Sequence, residues 1–416
     1  MFKMMYADAR GRLYDHGSLG LVGRAGDRYI EPLESELIPL PEGASLTMLP
    51  GRRPVGLAKG KLTPLENVPP IGEAFAVGAL LPQGYTRTLL PGFFGPAGAA
   101  PLPLLGYAAV GFRDGEIYTA AVQTDDNERW NPENYNTDDL AELVRLRRDE
   151  FPGNRIISQL ARCALDYACF TAQNIFYRRW EGGIPVSPAC NANCLGCISL
   201  QPAECCPSPQ NRIDFRPEPE EFAGIMARHL ESGDGAIISF GQGCEGEPAL
   251  ASAAASRAVH IVRRDTSRGT INMNTNAGYT DGIREMAAAG LDAIRVSMIS
   301  PREAIYNAYY RPQYPLSAVF RSVEEAKGRG LFVSINLLTL PGLTDRTEEV
   351  AAWVEFFRQY QVDMVQFRNL NIDPDFLWQA LPVEEDEILG ITTFIEILQR
   401  ELPQLKIGNF THPVRE

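Results

Sequence analysis

Histidine is scarce in this sequence, with four in 416 residues, and basic residues are outnumbered by acidic ones. Lysine and arginine number 39 against 52 aspartates and glutamates, which gives a formal net charge of −13 at pH 7. Sequence-independent binding of nucleic acid depends on clustered Lys and Arg side chains at the phosphates. The charge balance therefore argues against nucleic acid as the main partner.

Long apolar runs are absent as well, and without a stretch of 18 apolar residues no segment is predicted to span a membrane. The first thirty residues include Lys3, Asp8, Arg10, Arg12 and Asp15, which leaves no apolar region for a secretory signal. We therefore expect a cytoplasmic protein. Thiols stay reduced in that compartment, so the eight cysteines indicate a metal site or a reaction rather than a disulfide framework.

Proline punctuates the start of the chain, with 13 of the 31 prolines in the first 105 residues. Such punctuation favours strands and loops, and we predict a small β-rich N-terminal domain over residues 1–130. Within it, Leu104–Val110 and Glu116–Val122 are predicted to be strands joined by an Asp-Gly turn. Residues 131–182 are predicted to be a connecting, mainly helical segment, with apolar spacing that indicates one long helix over 156–180.

From residue 183 to residue 416, short β-rich runs alternate with longer helical stretches. Six strand–helix units in series indicate a parallel sheet with right-handed crossovers, so the predicted fold class is α/β, with a partial (β/α)6 barrel and a C-terminal helix. The predicted strands are Ile184–Val186, Ala236–Phe240, Thr270–Met273, Ala293–Ser297, Leu331–Leu337 and Met364–Phe367.

Three cysteines stand close together directly after the first of these predicted strands. Cys190, Cys194 and Cys197 form a C-x3-C-x2-C motif. In a barrel of parallel strands, the loops at the carboxyl ends of the strands carry the active site. Three thiolates in one loop can bind three irons of a [4Fe-4S] cluster and leave the fourth iron open, whereas an electron-carrier cluster normally takes four cysteines.

This motif resembles that of the radical S-adenosyl-L-methionine (radical SAM) superfamily, whose members carry such a triad after the first barrel strand. After the second predicted strand, Gly246, Glu247 and Pro248 match the family's Gly-Glu-Pro element. The resemblance implies that this element holds the amino group of S-adenosyl-L-methionine, because a carboxylate and carbonyls suit a cation. The resemblance covers residues 183–370, close to half of the chain.

Two further strand ends match the family pattern. Thr275 and Asn276 follow the third predicted strand, where many relatives have Thr-Asn-Gly, although Ala277 replaces the glycine. Ser297 ends the fourth predicted strand, where relatives place a polar contact to the ribose or carboxylate of the cofactor. The resemblance therefore implies that these residues bind the cofactor too.

One position departs from the family pattern. The residue before the third cysteine is usually aromatic in relatives and packs on the adenine, but here it is Gly196. Another side chain must cover that face of the adenine. We expect Phe367 or Leu340 to do so.

Candidate catalytic residues lie beside the predicted cofactor site. Cys244 could exchange a hydrogen atom with a substrate radical, and Tyr309 could pass one. Arg311 could pair with a carboxylate or phosphate of the substrate. The alternative interpretations are that Cys244 is merely buried and that the tyrosine and arginine belong to a solvated loop.

The adjacent residues Cys205 and Cys206 lie in a proline-rich loop after the triad. We expect this loop, together with the N-terminal domain, to shape the substrate pocket, because specificity usually resides in loops on a rigid scaffold. An alternative interpretation is a structural zinc site in which one of this pair completes the tetrahedral set of ligands.

The resemblance implies an oxidoreductase or transferase that cleaves S-adenosyl-L-methionine reductively and takes a hydrogen atom from a peptide or small-molecule substrate. A reductant such as flavodoxin or ferredoxin would supply the electron. The alternative from another class is a non-catalytic metal- or Fe-S-binding protein, in which the cysteines of the triad only stabilise the fold.

Overall fold

Two large sheets dominate the computed structural model, which describes residues 1–96, 98–126, 128–200, 206–231 and 235–415. An antiparallel sheet occupies the N-terminal part of the chain, and a curled parallel sheet with helices follows. The predicted α/β fold class, with a partial barrel behind a β-rich N-terminal region, is confirmed. None of the helices in the described ranges has the length and apolarity needed to cross a bilayer.

The N-terminal strands are short, as the frequent prolines predict. They are β1 (Lys3–Ala7), β2 (Leu13–Gly20), β3 (Gly23–Ala25), β4 (Arg28–Ile30), β5 (Leu37–Pro39), β6 (Ser45–Met48), β7 (Arg53–Ala58), β8 (Lys61–Pro64), β9 (Asn67–Val68), β10 (Gly72–Glu73), β11 (Phe75–Leu80), β12 (Tyr85–Arg87), β13 (Leu90–Pro91), β14 (Phe93–Phe94), β15 (Tyr107–Ala108), β16 (Val110–Arg113) and β17 (Glu116–Gln123).

The predicted Asp-Gly turn is confirmed between β16 and β17. Arg113 pairs with Glu116 across the turn, so the loop has two residues. Asp114 and Gly115 both have positive φ, 53° and 91°, the combination that a type I′ turn requires. The strand before the turn begins at Val110, six residues later than expected.

Three helices follow, α1 (Leu140–Glu150), α2 (Arg155–Leu165) and α3 (Phe170–Tyr177). The single long helix expected over 156–180 is therefore wrong, because the chain breaks between α2 and α3. Ala168 adopts a left-handed φ of 49° there, and the Cys169 amide donates to the carbonyl of Cys163. The amide of the Gln173 side chain donates to the Ala164 carbonyl, which the helix end would otherwise leave without a donor.

In the described ranges after α3, seven parallel strands alternate with helices, each strand paired with the next along the chain. The elements are β18 (Glu181–Gly183), α4 (Pro219–Leu230), β19 (Ile237–Phe240), α5 (Ser252–Asp265), β20 (Thr270–Thr275), α6 (Thr280–Ala289), β21 (Ala293–Met298), α7 (Glu303–Tyr310), α8 (Leu316–Gly328), β22 (Phe332–Thr339), α9 (Thr347–Tyr360), β23 (Met364–Asn369), α10 (Pro374–Ala380), α11 (Ile391–Glu401) and β24 (Lys406–Gly408).

Strands β19 to β23 lie within two residues of their predicted starts and ends, but the first and last strands differ from prediction. The first strand, β18, ends at Gly183 and so precedes the predicted span, because its two glycines admit close neighbours. A Cβ on Gly182 would lie 2.3 Å from the Ile175 side chain. The strand β24 was not predicted, since its three residues are too few to show a periodic pattern.

The two faces of the parallel sheet differ in chemistry. Apolar side chains such as Phe240 pack against helices, here with an edge contact to Phe222 of α4. The opposite face carries polar side chains that hydrogen-bond between strands, as Asn336 does to Ser297 at 3.1 Å. We call this the lumen face; it comprises Glu181, Ser239, Asn272, Asn274, Arg295, Ser297, Ser334, Asn336, Gln366 and Arg368.

Buried charges join the antiparallel sheet to the segment after β23. Arg52 and Asp373 form an ion pair at 2.6 Å, with side chains only 3% and 1% exposed. Arg24 pairs with Asp375 at 2.6 Å. Arg87 carries no carboxylate among its hydrogen-bond partners in the described residues; it donates to carbonyls, and burial lowers its pKa to about 9. These contacts fix the N-terminal sheet against the rim of the curled sheet.

Acid should destabilise the barrel through His229 of α4. Its Nε2 lies 2.8 Å from the Trp180 carbonyl, and burial lowers the pKa of His229 to about 4. The unfolded chain takes up this proton near the usual pKa of about 6.5, so stability present above that pH is lost as pH falls toward 4. Between pH 7 and pH 5 we expect this group to lower the free energy of unfolding by about 2 kcal/mol.

Denaturant unfolding at the two pH values tests this prediction. His229→Gln keeps a donor for the Trp180 carbonyl but removes the titrating group. Its free energy of unfolding should therefore fall by about 2 kcal/mol less than that of the parent between pH 7 and pH 5. His260 is exposed on α5 and offers the matched control, His260→Gln, which should behave like the parent. An unchanged pH dependence in His229→Gln would contradict the prediction.

Candidate functional site

The loop that follows β18 carries the cysteine triad, and two other loops hold its backbone. The amides of Asn193 and Leu195 donate to the carbonyls of Tyr310 and Tyr309, at 2.9 and 3.0 Å. On the other side, the Gly246 amide donates to the Ser187 carbonyl and the Glu247 amide to the Ala189 carbonyl, both at 2.7 Å. The structure thus brings the triad loop, the Gly-Glu-Pro element and α7 together at the carboxyl ends of the strands.

The three cysteines of the triad influence one another electrostatically. Burial raises the pKa of Cys194 well above its usual range, and nearby Cys197 and Cys190 raise it further. Burial also raises the pKa of Cys190. In the described part of the chain, no three His, Cys, Asp or Glu side chains converge on one metal position. A [4Fe-4S] cube does not need such convergence, since each thiolate binds a different iron, so three thiols in one anchored loop fit the cluster.

Arg212 lies next to the triad, which the sequence analysis did not indicate. Its Nη2 is 3.7 Å from Cys197 Sγ, and its Nε donates to Ser199 Oγ at 3.1 Å. Although burial raises the pKa of both Cys190 and Cys194, the charge of Arg212 opposes that rise. A cation at this position favours the thiolate form that binds iron.

Glu245 ties the triad loop to the loop after β19, and it too was missed. Oε2 accepts from the amides of Val186 and Ser187 at 2.7 and 3.0 Å, while Oε1 accepts from those of Gly241 and Gln242 at 2.5 and 3.1 Å. Burial raises the pKa of Glu245 to about 7, and the four amide donors act against that rise. One buried carboxylate therefore satisfies four backbone amides from two loops.

Glu247 makes the corresponding link from the loop after β19 to the loop after β20. Its carboxylate accepts from Thr275 Oγ1 at 2.5 Å, from the Asn276 amide at 2.8 Å and from the Ala249 amide at 3.0 Å. Pro248 begins the short 3-10 helix that follows. Burial raises the pKa of Glu247 to about 6. The predicted cofactor-binding residues of these two loops are thus neighbours.

Asn276 extends the connection back to the triad. Its Nδ2 donates to Asn191 Oδ1 at 2.7 Å and lies 4.0 Å from Cys190 Sγ. The following Ala277 is fully buried and has a φ of 57°, in the left-handed region where relatives place glycine. The backbone keeps the conformation of a glycine at about 1 kcal/mol of strain.

Gly196 lies against the hydroxyl of Tyr309, which leaves no room for a side chain at position 196. A Cβ on Gly196 would lie 2.6 Å from the Tyr309 hydroxyl and 3.5 Å from the next ring carbon. Tyr309 is 3% exposed, and burial raises its pKa well above the usual range. An aromatic side chain from α7 thus stands at the position where relatives carry an aromatic residue in the triad loop itself.

This contact predicts a compensating pair of substitutions. Gly196→Ala should lower the melting temperature, because its methyl group overlaps the Tyr309 hydroxyl and overpacking commonly costs about 1–3 kcal/mol. Tyr309→Phe removes that oxygen and leaves the ring carbon at an ordinary contact distance. The double variant should therefore be more stable than Gly196→Ala alone, as measured by thermal unfolding. Additive losses would contradict the assigned contact.

The other predicted residues are distributed differently. Ser297 lies on the lumen face, but the ring of Phe367 packs on Phe394 of α11, 5.7 Å away, and so the structure does not support its assignment to the cofactor site. Arg311 is exposed at the end of α7. Cys244 is 3% exposed, and its pKa is raised well above the usual range by the thiol of Cys163 and by burial.

Of the adjacent cysteine pair, Cys205 lies outside the described residues. Cys206 is partly buried against the main core and is close enough to Tyr107 to act on it electrostatically. Burial is the first cause that raises the pKa of Tyr107, which belongs to β15 of the N-terminal sheet. Cys206 therefore lies near the N-terminal sheet, and the role of its loop in shaping the substrate pocket stays a prediction.

Comparison with known proteins finds a family match over part of the chain. Residues 184–354 match the model of the Radical SAM superfamily. No curated protein matches the chain. Among solved structures, methylornithine synthase (PylB) is similar at 17% identity over 64% of this chain and 73% of its own, with a TM-score of 0.38.

Two other solved structures are similar over part of their length. The radical S-adenosylmethionine methyltransferase TsrM from Kitasatospora setae, solved with cobalamin and a [4Fe-4S] cluster, shares 17% identity over 46% of this chain and 37% of its own, with a TM-score of 0.34. SuiB from Streptococcus suis, bound to S-adenosylmethionine, shares 12% identity over 66% and 67%, with a TM-score of 0.40.

Members of the matched superfamily use a [4Fe-4S] cluster and S-adenosyl-L-methionine. The match favours an enzyme over the alternative of a non-catalytic metal-binding protein. Residues 184–354 of this chain therefore form a radical SAM domain, and the chain is an enzyme.

Proposed function

We propose that this enzyme cleaves S-adenosyl-L-methionine reductively and takes a hydrogen atom from a substrate held at the lumen face. The observation that carries the proposal is the direct backbone contact between the triad loop and the Gly-Glu-Pro element, at Ser187 and Ala189. When bound, the cluster supplies the electron that breaks a carbon–sulfur bond of the cofactor. The substrate is a small molecule or a peptide, and the electron comes from a reductant such as flavodoxin or ferredoxin.

Different residues of the site would bind the cluster and S-adenosyl-L-methionine. Cys190, Cys194 and Cys197 would bind three irons. The loops that Glu247 connects would present backbone carbonyls to the amino group of the cofactor, while Ser297 would contact its polar part from the lumen face. Because Glu247 already accepts three hydrogen bonds from the protein, its larger contribution is to position Thr275, Asn276 and the Gly-Glu-Pro backbone.

Tyr309 would cover the cofactor where relatives use the residue before the third cysteine. Its hydroxyl lies against Gly196, and its ring belongs to a group of packed tyrosines that keeps water away from the site. Cys244 as a hydrogen-atom donor and Arg311 as a contact to the substrate remain proposals as well. The first would require the loop to move, since Cys244 packs against Cys163.

We also propose a functional division along the chain. Residues 1–130 would form the N-terminal domain that walls the substrate pocket, residues 131–182 the connecting segment, and residues 183–416 the catalytic barrel. The buried ion pair of Arg52 with Asp373 supports a fixed wall rather than a loosely attached domain.

Deuterium transfer tests the function directly. Anaerobically reconstituted protein would be incubated with dithionite, S-adenosyl-L-methionine and small-molecule and peptide fractions of a deuterium-labelled extract, and 5′-deoxyadenosine would be analysed by mass spectrometry. We expect 5′-deoxyadenosine to form and to gain deuterium. The variant lacking all three triad cysteines is the control. Absence of 5′-deoxyadenosine from the parent would refute reductive cleavage, and its formation without deuterium from any fraction would refute hydrogen abstraction.

A further inference from the structure

Two arginine side chains on the lumen face, Arg295 and Arg368, are partly exposed. On β21 and β23, Arg295, Ser297 and Arg368 of the lumen face are partly exposed, and Ser297 lies between the two arginines in strand register. These side chains face the concave side of the sheet, so their exposure is to the lumen. A ligand inside the curled sheet would therefore meet both guanidinium groups.

The hydrogen-bond partners of these two arginines are neutral throughout the described residues. Arg295 Nη1 donates to Thr411 Oγ1 at 3.0 Å and to Gln366 Oε1 at 3.4 Å. Arg368 Nη1 donates to the Asn409 carbonyl at 2.6 Å and to Gln83 Oε1 at 2.9 Å. In both side chains Nη2 has no acceptor within the described ranges, so each keeps donors for a ligand.

The lumen face carries one acidic group to balance the two positive charges. Glu181 acts electrostatically on both arginines but forms no ion pair with either one in the described part of the chain, and its Oε1 accepts from Ser239 Oγ at 2.7 Å. Burial lowers the pKa of Arg295 and lowers that of Arg368 to about 10. Arg295 and Arg368 carry two positive charges, and Glu181 supplies one negative charge without pairing with either arginine. The remaining positive charge is one that a bound anion would neutralise.

The backbone of Arg295 lies further from the cofactor loops than Ser297 does, whereas that of Arg368 lies nearer to them. Arg295 acts electrostatically on Arg368, so the two guanidinium groups are neighbours. Arg295 precedes Ser297 by two residues on β21, about 6.6 Å further from the end of the strand that faces the triad loop. Its partner Thr411 lines a cavity of about 310 Å³ at the opposite end of the sheet, where Glu181 begins β18. The arginine thus lies between the cofactor loops and this lower cavity.

We propose that the substrate carries an anionic group, a carboxylate or a phosphate, which binds to Arg295 and Arg368 together. This inference rests on the proposed function, because it takes the lumen to be the substrate site. Arg87 at the rim does not take part, since its guanidinium is fully buried among backbone carbonyls. The anionic group would hold the remainder of the substrate between these arginines and the cofactor.

Binding of simple anions tests the proposal without knowledge of the substrate. Succinate and inorganic phosphate would be titrated calorimetrically into the cluster-loaded chain, with and without saturating S-adenosyl-L-methionine. We expect one saturable site in the parent, occupied whether or not the cofactor is present. Arg368→Gln should weaken it about tenfold to a hundredfold, the loss typical of a charge-assisted hydrogen bond, while Arg368→Lys should retain most of the affinity.

The arms of the experiment separate the alternatives. Tighter binding of phosphate indicates a phosphorylated substrate, and tighter binding of succinate indicates a carboxylic acid. The proposal is overturned if the parent shows no saturable anion site, or if Arg368→Gln binds the anion as tightly as the parent. It is also overturned if S-adenosyl-L-methionine displaces the anion, because the arginines would then bind the cofactor's own carboxylate. If Arg368→Gln fails to fold, Arg295→Gln provides the same comparison. The proposed function fails separately, through absence of 5′-deoxyadenosine from the parent.

Discussion

Replacing Cys190, Cys194 and Cys197 together by alanine should reduce bound iron after anaerobic reconstitution from about four atoms per chain to about none. The physical reason is that these three thiols lie in one loop with backbone anchors on both sides, and the variant removes all three iron ligands at once. Iron analysis and the absorption of the cubane measure the effect.

A matched control uses cysteines of the same protein that pack in the core. Cys163 is 1% exposed, and Cys169 is partly buried and directly precedes the next helix. The variant Cys163→Ala, Cys169→Ala should therefore keep its iron, although it should lose some stability. Cys206→Ser should also keep it. Iron retained in the triple variant, or lost only in Cys206→Ser, would contradict the assignment of the cluster to the triad.

Glu245→Ala should destabilise the chain by about 4 kcal/mol or more and abolish binding of S-adenosyl-L-methionine. It leaves four buried amides without an acceptor, and each unsatisfied buried group costs about 1–3 kcal/mol. Those amides belong to residues 186–187 and 241–242, so the connection between the triad loop and the loop after β19 would weaken. Denaturant unfolding and calorimetry with the cofactor measure the two losses.

Glu285→Ala is the appropriate control, because Glu285 also accepts two hydrogen bonds but from the hydroxyls of Ser252 and Ser256. Glu285 is exposed, so water can take the place of its carboxylate, and the loss should stay below about 1 kcal/mol. Glu245→Gln should be intermediate, since one oxygen still accepts while the new amide faces donors. Wild-type stability in Glu245→Ala would show that solvent replaces the carboxylate.

The sequence predicted much of the barrel and part of the site. Strands β19 to β23 were recognised because their apolar residues alternate with polar ones between helices that begin or end at proline and glycine, as α6 ends at Gly290. The triad and the Gly-Glu-Pro element were recognised because their spacing lies within single loops. The break between α2 and α3 was not, since Ala168 gives no local signal for a left-handed conformation.

The site residues that the sequence did not predict, Glu245 and Arg212, contact partners on other loops. Glu245 binds backbone amides, which every residue except proline has, so no pattern of side chains marks its partners. Arg212 reaches Cys197 only because the chain returns after the proline-rich loop. Phe367 was placed at the cofactor site for a different reason. A strand presents alternate residues to opposite faces of the sheet, so Gln366 and Arg368 face the lumen while Phe367 faces the helices.

The salt bridges between the N-terminal sheet and the segment after β23 bear on protein engineering. Asp373 also accepts from the Leu102 amide, so its carboxylate serves two parts of the N-terminal region. A shortened chain without the N-terminal strands would carry this acid, and Asp375 beside it, with no counter-charge. A chimaera that placed the antiparallel sheet on another barrel would need the segment 369–375 transferred with it, because the sheet and that segment form one electrostatic unit.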